Sequence, residues 1–397
     1  MMEYNFRSDN DVMKVVFIIT DYGGFNNFLG ELAIAIVRKS VSVNVICSSN
    51  KVIDINDKYN YKQEGINFFF VDFPRGFNIF KHILISNKIK RILNNIAPSF
   101  VFIHFTTGIF TTTFTGRLKF YTAGMFHGLG YPAMEGMFKR WMYKFIETRS
   151  VRRIDDVWVL NRSDRDMLKL EFPKRDVNLL PTAGLGCDLE RFDPNKFSNE
   201  FKCQLRKLLN ISDNDFVIAF TGRFVFFKGF GKLVKSILQL VEVGGYHHVK
   251  LLLIGGVDPA HSTGLSEKEM DKMNSCKNII RLGFESAVEN FLSIADLFVF
   301  PSEKEGMPVC IIEALAMGIP VITNNSRGCN DLVKNGVNGM ILEESSSEAI
   351  SNAILSMMNN LPLLDEMKIN ILQNRHLLGR QNFVDNQVEY IIKKTIN

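Results

Sequence analysis

Two carboxylates, Glu305 and Glu313, stand eight positions apart in a run that reads Glu305-Gly306-Met307-Pro308-Val309 and continues into Glu313-Ala314-Leu315-Ala316. The apolar run before it predicts a strand ending near Phe300. Pro308 suits the first turn of a helix, which puts Glu305 in the connecting loop and Glu313 about one and a half turns in. A glycine and a helix N-terminus offer backbone N–H groups to a diphosphate. A carboxylate on that helix can accept two hydrogen bonds from ribose hydroxyls, and one in the loop can hold the hydroxyls of a sugar. Left without polar partners, two such buried acids would be costly. The bland alternative is a pair of solvated glutamates near a helix start.

A second cluster, Thr221-Gly222-Arg223 followed by Lys228-Gly229, lies after another strand candidate. Strand-to-helix loops of open α/β sheets are where phosphates bind. Two cations there can neutralise a leaving diphosphate through charge-assisted hydrogen bonds. Asp213-Asn214-Asp215 spells a D-x-D metal motif, but it precedes a strand and reads as a polar turn. No metal site is expected.

The elements that must position these residues form two series of short apolar runs alternating with helix-period segments, the pattern of doubly wound α/β domains. In the first series, strands are predicted at 14–20, 43–47, 67–71, 100–103, 121–126 and 157–160, with helices at 26–38, 77–94 and 136–153 and a further helix capped by Ser163. The Gly- and Pro-containing stretch 181–194 reads as a linker. The second series has strands at 216–221, 249–254, 278–282, 297–300 and 320–323, and helices fill 363–394. The expected domains are 1–190, with a terminal helix at about 380–397 packing back on it, and 191–379. Their ligand loops are expected to face a shared cleft.

A length of 397 residues with 46% hydrophobic and 22% charged content describes a folded chain too long for one core. Net charge is +5, and no nucleic-acid motif accompanies it. The six cysteines are scattered, which suits a reducing compartment and argues against a disulfide framework or structural zinc. Residues 1–13 show no secretory leader, and the longest apolar runs fall far short of the roughly 20 residues that span a bilayer.

The Arg223 and Lys228 pair, the Glu305-x7-Glu313 spacing and the Gly-Cys-Asp-x-x-x-Phe segment at Gly186–Phe192 resemble the GT4 family of retaining glycosyltransferases with the GT-B fold. The likeness is dense in the second half and thin in the first. It implies that Arg223, Lys228 and Gly222 meet the donor diphosphate, that Glu313 binds the ribose, and that Glu305 contacts the donor sugar. It also implies main-chain contacts from Gly306, Met307, Pro308 and Val309, with Gly283 and Phe284 framing the base. In the first domain, Gly23-Gly24 corresponds to a glycine-rich loop after strand one, and His127 to a histidine near the donor sugar. Departures are Val41–Val45 where a Gly-His-x-Val is usual, and Asp331 where a Glu is usual.

The expected reaction moves a hexose or N-acetylhexosamine from a nucleotide sugar, UDP preferred, with Glu305, His127, Arg223 and Lys228 as catalytic groups and no cofactor beyond the substrate. Front-side attack by the acceptor hydroxyl would retain the anomeric configuration. The helix at 136–153 mixes Lys139, Arg140, Lys144, Arg149, Arg152 and Arg153 with Phe138, Trp141, Met142 and Phe145, and Lys81, Lys88, Lys90 and Arg91 lie on an earlier helix. Such a helix can lie on anionic headgroups, or it can be a core helix with a solvated basic face. Together with likeness to transferases that extend polyprenyl-diphosphate-linked sugars, it suggests a lipid-linked acceptor, a cytoplasmic location with peripheral membrane contact, and a role in O-antigen or capsule assembly. The alternatives are a nucleotide-sugar epimerase of the same fold and a non-catalytic nucleotide-sugar-binding subunit.

Overall fold

The computed structural model describes residues 13–49, 58–74, 76–134 and 136–396. Residues 1–12, on which the reading of the N-terminus rests, lie outside the described residues. The chain divides at Leu180/Pro181 into two compact units, and the segment from Phe383 onward rejoins the first.

The first unit is built on seven parallel strands: β1 (Lys14–Ile18), β2 (Ser42–Cys47), β3 (Asn67–Phe70), β4 (Phe100–His104), β5 (Tyr121–Phe126), β6 (Asp156–Val159) and β7 (Val177–Leu179). Their order is β3-β2-β1-β4-β5-β6-β7. Runs such as Val15–Ile19 are buried on both faces, as a parallel sheet covered by helices requires. The C-terminal helix Arg380–Ile396 is anchored to this unit. Tyr390 Oη donates to Asp156 Oδ2 at 2.6 Å, Lys394 Nζ reaches Tyr121 Oη at 2.6 Å, and the Tyr390 ring meets Trp158 edge-on at 4.8 Å.

The second unit has six parallel strands: β8 (Phe216–Phe224), β9 (Val249–Val257), β10 (Ile279–Gly283), β11 (Leu297–Phe300), β12 (Val321–Asn324) and β13 (Gly339–Leu342), in the order β10-β9-β8-β11-β12-β13. The segment predicted as a linker folds with this unit. Cys187 N donates to Leu378 O and Arg380 N donates to Cys187 O, each at 2.9 Å. Gly186 is at φ +64, and a Cβ there would come 2.6 Å from the Arg380 backbone, so only glycine permits the bridge.

Several local expectations are corrected. Edge strands β7 and β13 went unpredicted because three or four residues carry no usable periodicity. The helix expected at 26–38 is two, Tyr22–Phe28 and Gly30–Val37, meeting at Leu29. Helix Arg162–Glu171 is capped by Asn161, whose side chain accepts from Asp164 N, and not by Ser163. Asp213-Asn214-Asp215 forms a turn in which Asp215 accepts from Ser212 N at 2.7 Å.

Strand order reverses beside β1 in one sheet and beside β8 in the other. Doubly wound sheets bind ligands beyond the strand C-termini at such points. In the second unit the crossing loop is tight. Gly229, at φ +77, caps helix Phe230–Glu242, and a Cβ there would meet Pro301 O at 2.2 Å. Gly229→Ala is therefore expected to destabilise the protein by about 2 kcal/mol or more, from left-handed strain plus the clash. Denaturant melts of the two proteins measure it, and an unchanged midpoint would contradict this packing.

Candidate active site

The second unit assembles its polar cluster from the ends of β8 and β11. After β8 the chain makes a single 3₁₀ turn, Phe226–Lys228, before Gly229 opens the next helix. That turn delivers the Lys228 ammonium onto Glu305 Oε1 as an ion pair, 5.5 Å above the Phe300 ring centre. Glu305 Oε1 also accepts from Ser302 Oγ at 2.7 Å. Both charged side chains are sheltered, with 18% of Lys228 and 9% of Glu305 accessible, so neither charge is left unpaired in a poorly solvated place.

The loop carrying Glu305 is held from three directions. Asn324 Nδ2 donates to Pro301 O at 2.7 Å, Ser326 Oγ donates to Ser302 O at 2.7 Å, and Glu303 N donates to Phe227 O at 2.9 Å. Helix Val309–Ala316 follows, with Pro308 at its N-cap and Glu313 in its second turn. The Cys310 thiol is pushed well up, first by burial and then by the charge of Glu305, with Lys228 opposing and Glu313 adding to the rise. Glu313 lies about one turn beyond Cys310 on this helix, directly after the loop that carries Glu305. Glu313 also acts on Cys187 and Arg191, so the Gly186–Phe192 segment lies beside it.

Arg223 stands apart from that group. It belongs to the end of strand β8, not to the loop, and its guanidinium pairs with Asp258 Oδ2 at 2.6 Å over the Phe227 ring. Asp258 is held below the usual carboxylate range by the Ala260 N–H first and by Arg223 next. Gly222 precedes it at φ +145. Met307 turns into the core under Gly184, Pro308 is buried, and Gly306 O packs against Gly328. Val309 is half-buried, while Gly283 and Phe284 project from the end of β10 with the ring 89% accessible.

In the first unit, the expected glycine loop is not a loop. Gly23 and Gly24 form the first turn of helix Tyr22–Phe28, and the Gly24 N–H is taken by Asp21 Oδ1 at 2.8 Å. Asp21 works as an N-cap here, and a strong cap extends the helix back over the glycines. His127 directly follows β5, as expected, but it does not act alone. Its Nε2 lies 3.1 Å from Nδ1 of the fully buried His104, and Phe105 packs on its ring at 4.1 Å. Burial lowers His127 to about 3 and His104 well below its ordinary value, so both rings are neutral near pH 7. His104 Nε2 has no hydrogen-bond partner among the described residues. A buried bare nitrogen is tolerated better than a buried orphan N–H, which favours the tautomer in which His104 Nδ1–H donates to His127 Nε2. His127 then carries its proton on Nδ1 and is a hydrogen-bond donor.

Sequence reasoning missed Ser302, Asp258, His104 and Glu147. Glu147 is the only acid in the basic, aromatic helix Met137–Val151, a visible signal, and it is fully buried. The same helix bears Met137, Phe138, Trp141 and Phe145 on an exposed face, with the three aromatic rings stacked in sequence. Its Arg149, and Arg153 just beyond its end, are engaged by carbonyls of Thr113 and Phe114 at the end of helix Thr106–Thr112. Among the described residues no helix is long and apolar enough to cross a membrane, and no group of three or more His, Cys, Asp or Glu could hold a metal ion.

Residues 202–373 match the model of the family described as Glycosyl transferases group 1. The chain is 24% identical over 328 residues, 80% of each chain, to the UDP-Gal:alpha-D-GlcNAc-diphosphoundecaprenol alpha-1,3-galactosyltransferase of Escherichia coli. It is 34% identical over 177 residues, 44% of each chain, to the capsular polysaccharide biosynthesis glycosyltransferase CapM of Staphylococcus aureus. Its fold is similar to that of sucrose-phosphate synthase from Thermosynechococcus elongatus, with a TM-score of 0.77 at 17% identity over 97% of this chain and 99% of that one. The arrangement of a seven- and a six-stranded parallel sheet is the GT-B fold, and residues 202–373 are a group 1 glycosyltransferase domain.

Proposed function

We propose that this chain is a retaining glycosyltransferase. It moves a hexose or N-acetylhexosamine from a nucleotide sugar, UDP-linked by preference, onto a polyprenyl-diphosphate-linked glycan in surface polysaccharide synthesis. The observation that carries the reading is the sheltered Lys228–Glu305 pair with Glu313 beside it, at the point where the strand order of the second sheet reverses. The activity named for the Escherichia coli relative supports the lipid-linked acceptor and the UDP donor.

An ammonium has three N–H donors, and Glu305 engages one. Lys228 and Arg223 meet the diphosphate and stabilise the charge that grows on it as the glycosidic bond breaks. The Val309 N–H, at the start of its helix, adds a main-chain donor. Glu313 holds the ribose, Glu305 a hydroxyl of the donor sugar, and Gly283 with the exposed Phe284 ring frames the base. His127, neutral, donates from Nδ1 to a sugar hydroxyl and moves no proton. The acceptor oxygen bonds to the anomeric carbon on the face the diphosphate leaves. The electron pair of the broken C–O bond goes to the phosphate, which takes the acceptor's proton, and configuration is retained. No step in this scheme calls on a metal ion.

The exposed face of Phe138, Trp141 and Phe145, flanked by Lys139, Arg140 and Lys144, suits the interfacial region of an anionic leaflet. It would put the enzyme peripherally on the cytoplasmic membrane face, where a polyprenyl acceptor is presented.

Screening UDP- and GDP-sugars by thermal shift is expected to show stabilisation by a UDP-sugar, since ligand bound to the native state raises its melting temperature. Silence from every nucleotide sugar would overturn the reading. Lys228→Ala should lower kcat about 10²- to 10³-fold, the scale of one lost transition-state donor. Arg223→Ala should cost less, because that side chain is 55% accessible and shared with Asp258. Equal losses at the two positions would contradict the difference in shelter. For the membrane face, flotation with anionic liposomes should retain the wild type and release a Phe138→Ser, Trp141→Ser variant, and equal flotation of both would remove that contact.

A further inference from the structure

Three successive backbone N–H groups in the loop after His127 end on two buried carboxylates. Leu129 N donates to Asp164 Oδ2 at 2.9 Å, Gly130 N to Glu147 Oε1 at 2.6 Å and Tyr131 N to Glu147 Oε2 at 3.2 Å. Resting on the transferase reading, we infer that Glu147 is a positioning residue for the reaction, fixing the backbone that aims the His127 ring and meeting no substrate itself. Glu147 and Asp164 are fully buried, whereas His127 is half-buried and so still reachable.

The Glu147 carboxylate braces the ring from two sides. On one it holds Gly130 and Tyr131. On the other, Oε1 accepts from Thr106 Oγ1 at 3.1 Å, and the residue before Thr106 is Phe105, whose ring packs on His127 with centroids 4.1 Å apart. His104, in the same segment, meets His127 at 3.1 Å. One side chain from helix Met137–Val151 therefore clamps segment 104–106 to loop 127–131. Asp164, in the first turn of helix Arg162–Glu171, accepts from Asn161 Nδ2 at 2.9 Å and secures the middle of the loop. Gly130 lets the clamp close, because a Cβ there would stand 2.9 Å from the Tyr143 ring.

The partners of Glu147 among the described residues are uncharged donors, so what the site demands is an acceptor at each end of the side chain. Burial raises this carboxyl to about 7, against the lowering by its hydrogen bonds from Gly130, Tyr131 and Thr106. Both protonation states satisfy the loop. The neutral acid donates Oε1–H to Thr106 Oγ1 while its two oxygens still accept from the two N–H groups. A carboxamide cannot do this, since its NH2 faces one of those N–H groups whichever way it is turned. Were packing alone at stake, glutamine would serve as well and cost less to bury. The paired N–H groups select the acid.

A double-mutant cycle on the full chain tests the assignment, with undecaprenyl-diphosphate-linked N-acetylglucosamine and the UDP-sugar that stabilises the protein best. Glu147→Gln should lower kcat about 10-fold with the donor KM unchanged, short of the roughly 10²-fold that a 1 Å misplacement can cost. In a His127→Ala background the same change should lower kcat less than about 2-fold, because the two residues act as a unit. Equal losses in both backgrounds, or a loss carried by the donor KM, would overturn the positioning role and leave the transferase reading intact. Should Glu147→Gln fold poorly, Thr106→Val removes one donor to the same carboxylate. It should lower kcat about 3-fold in the wild type and leave His127→Ala unchanged. Equal losses there would overturn the role too. A wild type that neither transfers sugar nor binds any nucleotide sugar would instead overturn the transferase reading, and the inference with it.

Discussion

The structure of the second unit turns on keeping an ammonium and a carboxylate together where little water reaches them. A buried charge without a partner is expensive, and removing one member of such a pair strands the other. Lys228 and Glu305 come from segments 77 residues apart in sequence, so their meeting depends on β8 and β11 being neighbours in the sheet. It depends as well on Gly229, whose missing side chain lets the β11 loop lie against the helix start, and on Ser302, which fixes the carboxylate. The Phe300 ring beneath the ammonium excludes water and offers its π face to the charge. Packing, turn chemistry and electrostatics agree at this point, and consistency across levels is what singles out one fold.

How much of this was legible varies with the range of the interaction. The central strands were readable because burial on both faces leaves continuous apolar runs such as Val15–Ile19 and Leu251–Ile254. Of the edge strands, β3 and β10 were readable too, while β7 and β13 were not, since they take their conformation from the neighbouring strand rather than from their own residues. Chemistry written into one stretch of chain, such as Glu305 and Glu313 in a loop and the helix after it, could be read from spacing. Partnerships across the fold could not. Nothing near Arg223 in sequence announces Asp258, and nothing near His127 announces His104. Gly23-Gly24 misled for a local reason, because Asp21 caps the helix strongly enough to draw two glycines into its first turn.

The histidine pair illustrates what burial does to a residue that titrates near neutrality elsewhere. Two imidazoles in contact cannot both be charged at low cost, and desolvation lowers each of them further. The pair is therefore a fixed dipole whose direction is set by which nitrogen can bear being unpartnered. A neutral pair of this kind can position a hydroxyl but is not suited to exchange protons with it near pH 7.

Both sheets gather polar side chains at the same topological feature, with opposite charge. Beyond β8 and β11 the side chains offered include Lys228 and Arg223, and a polyanion is the ligand they complement. Beyond β1, β4 and β5 lie Asp21, a neutral histidine pair and Glu147. A carboxylate as sheltered as Glu305 must be paired, as it is with Lys228. In the first unit a carboxylate can be neutralised by its own proton, as burial makes Glu147 able to be near pH 7. Each unit thus solves the cost of a buried acid differently.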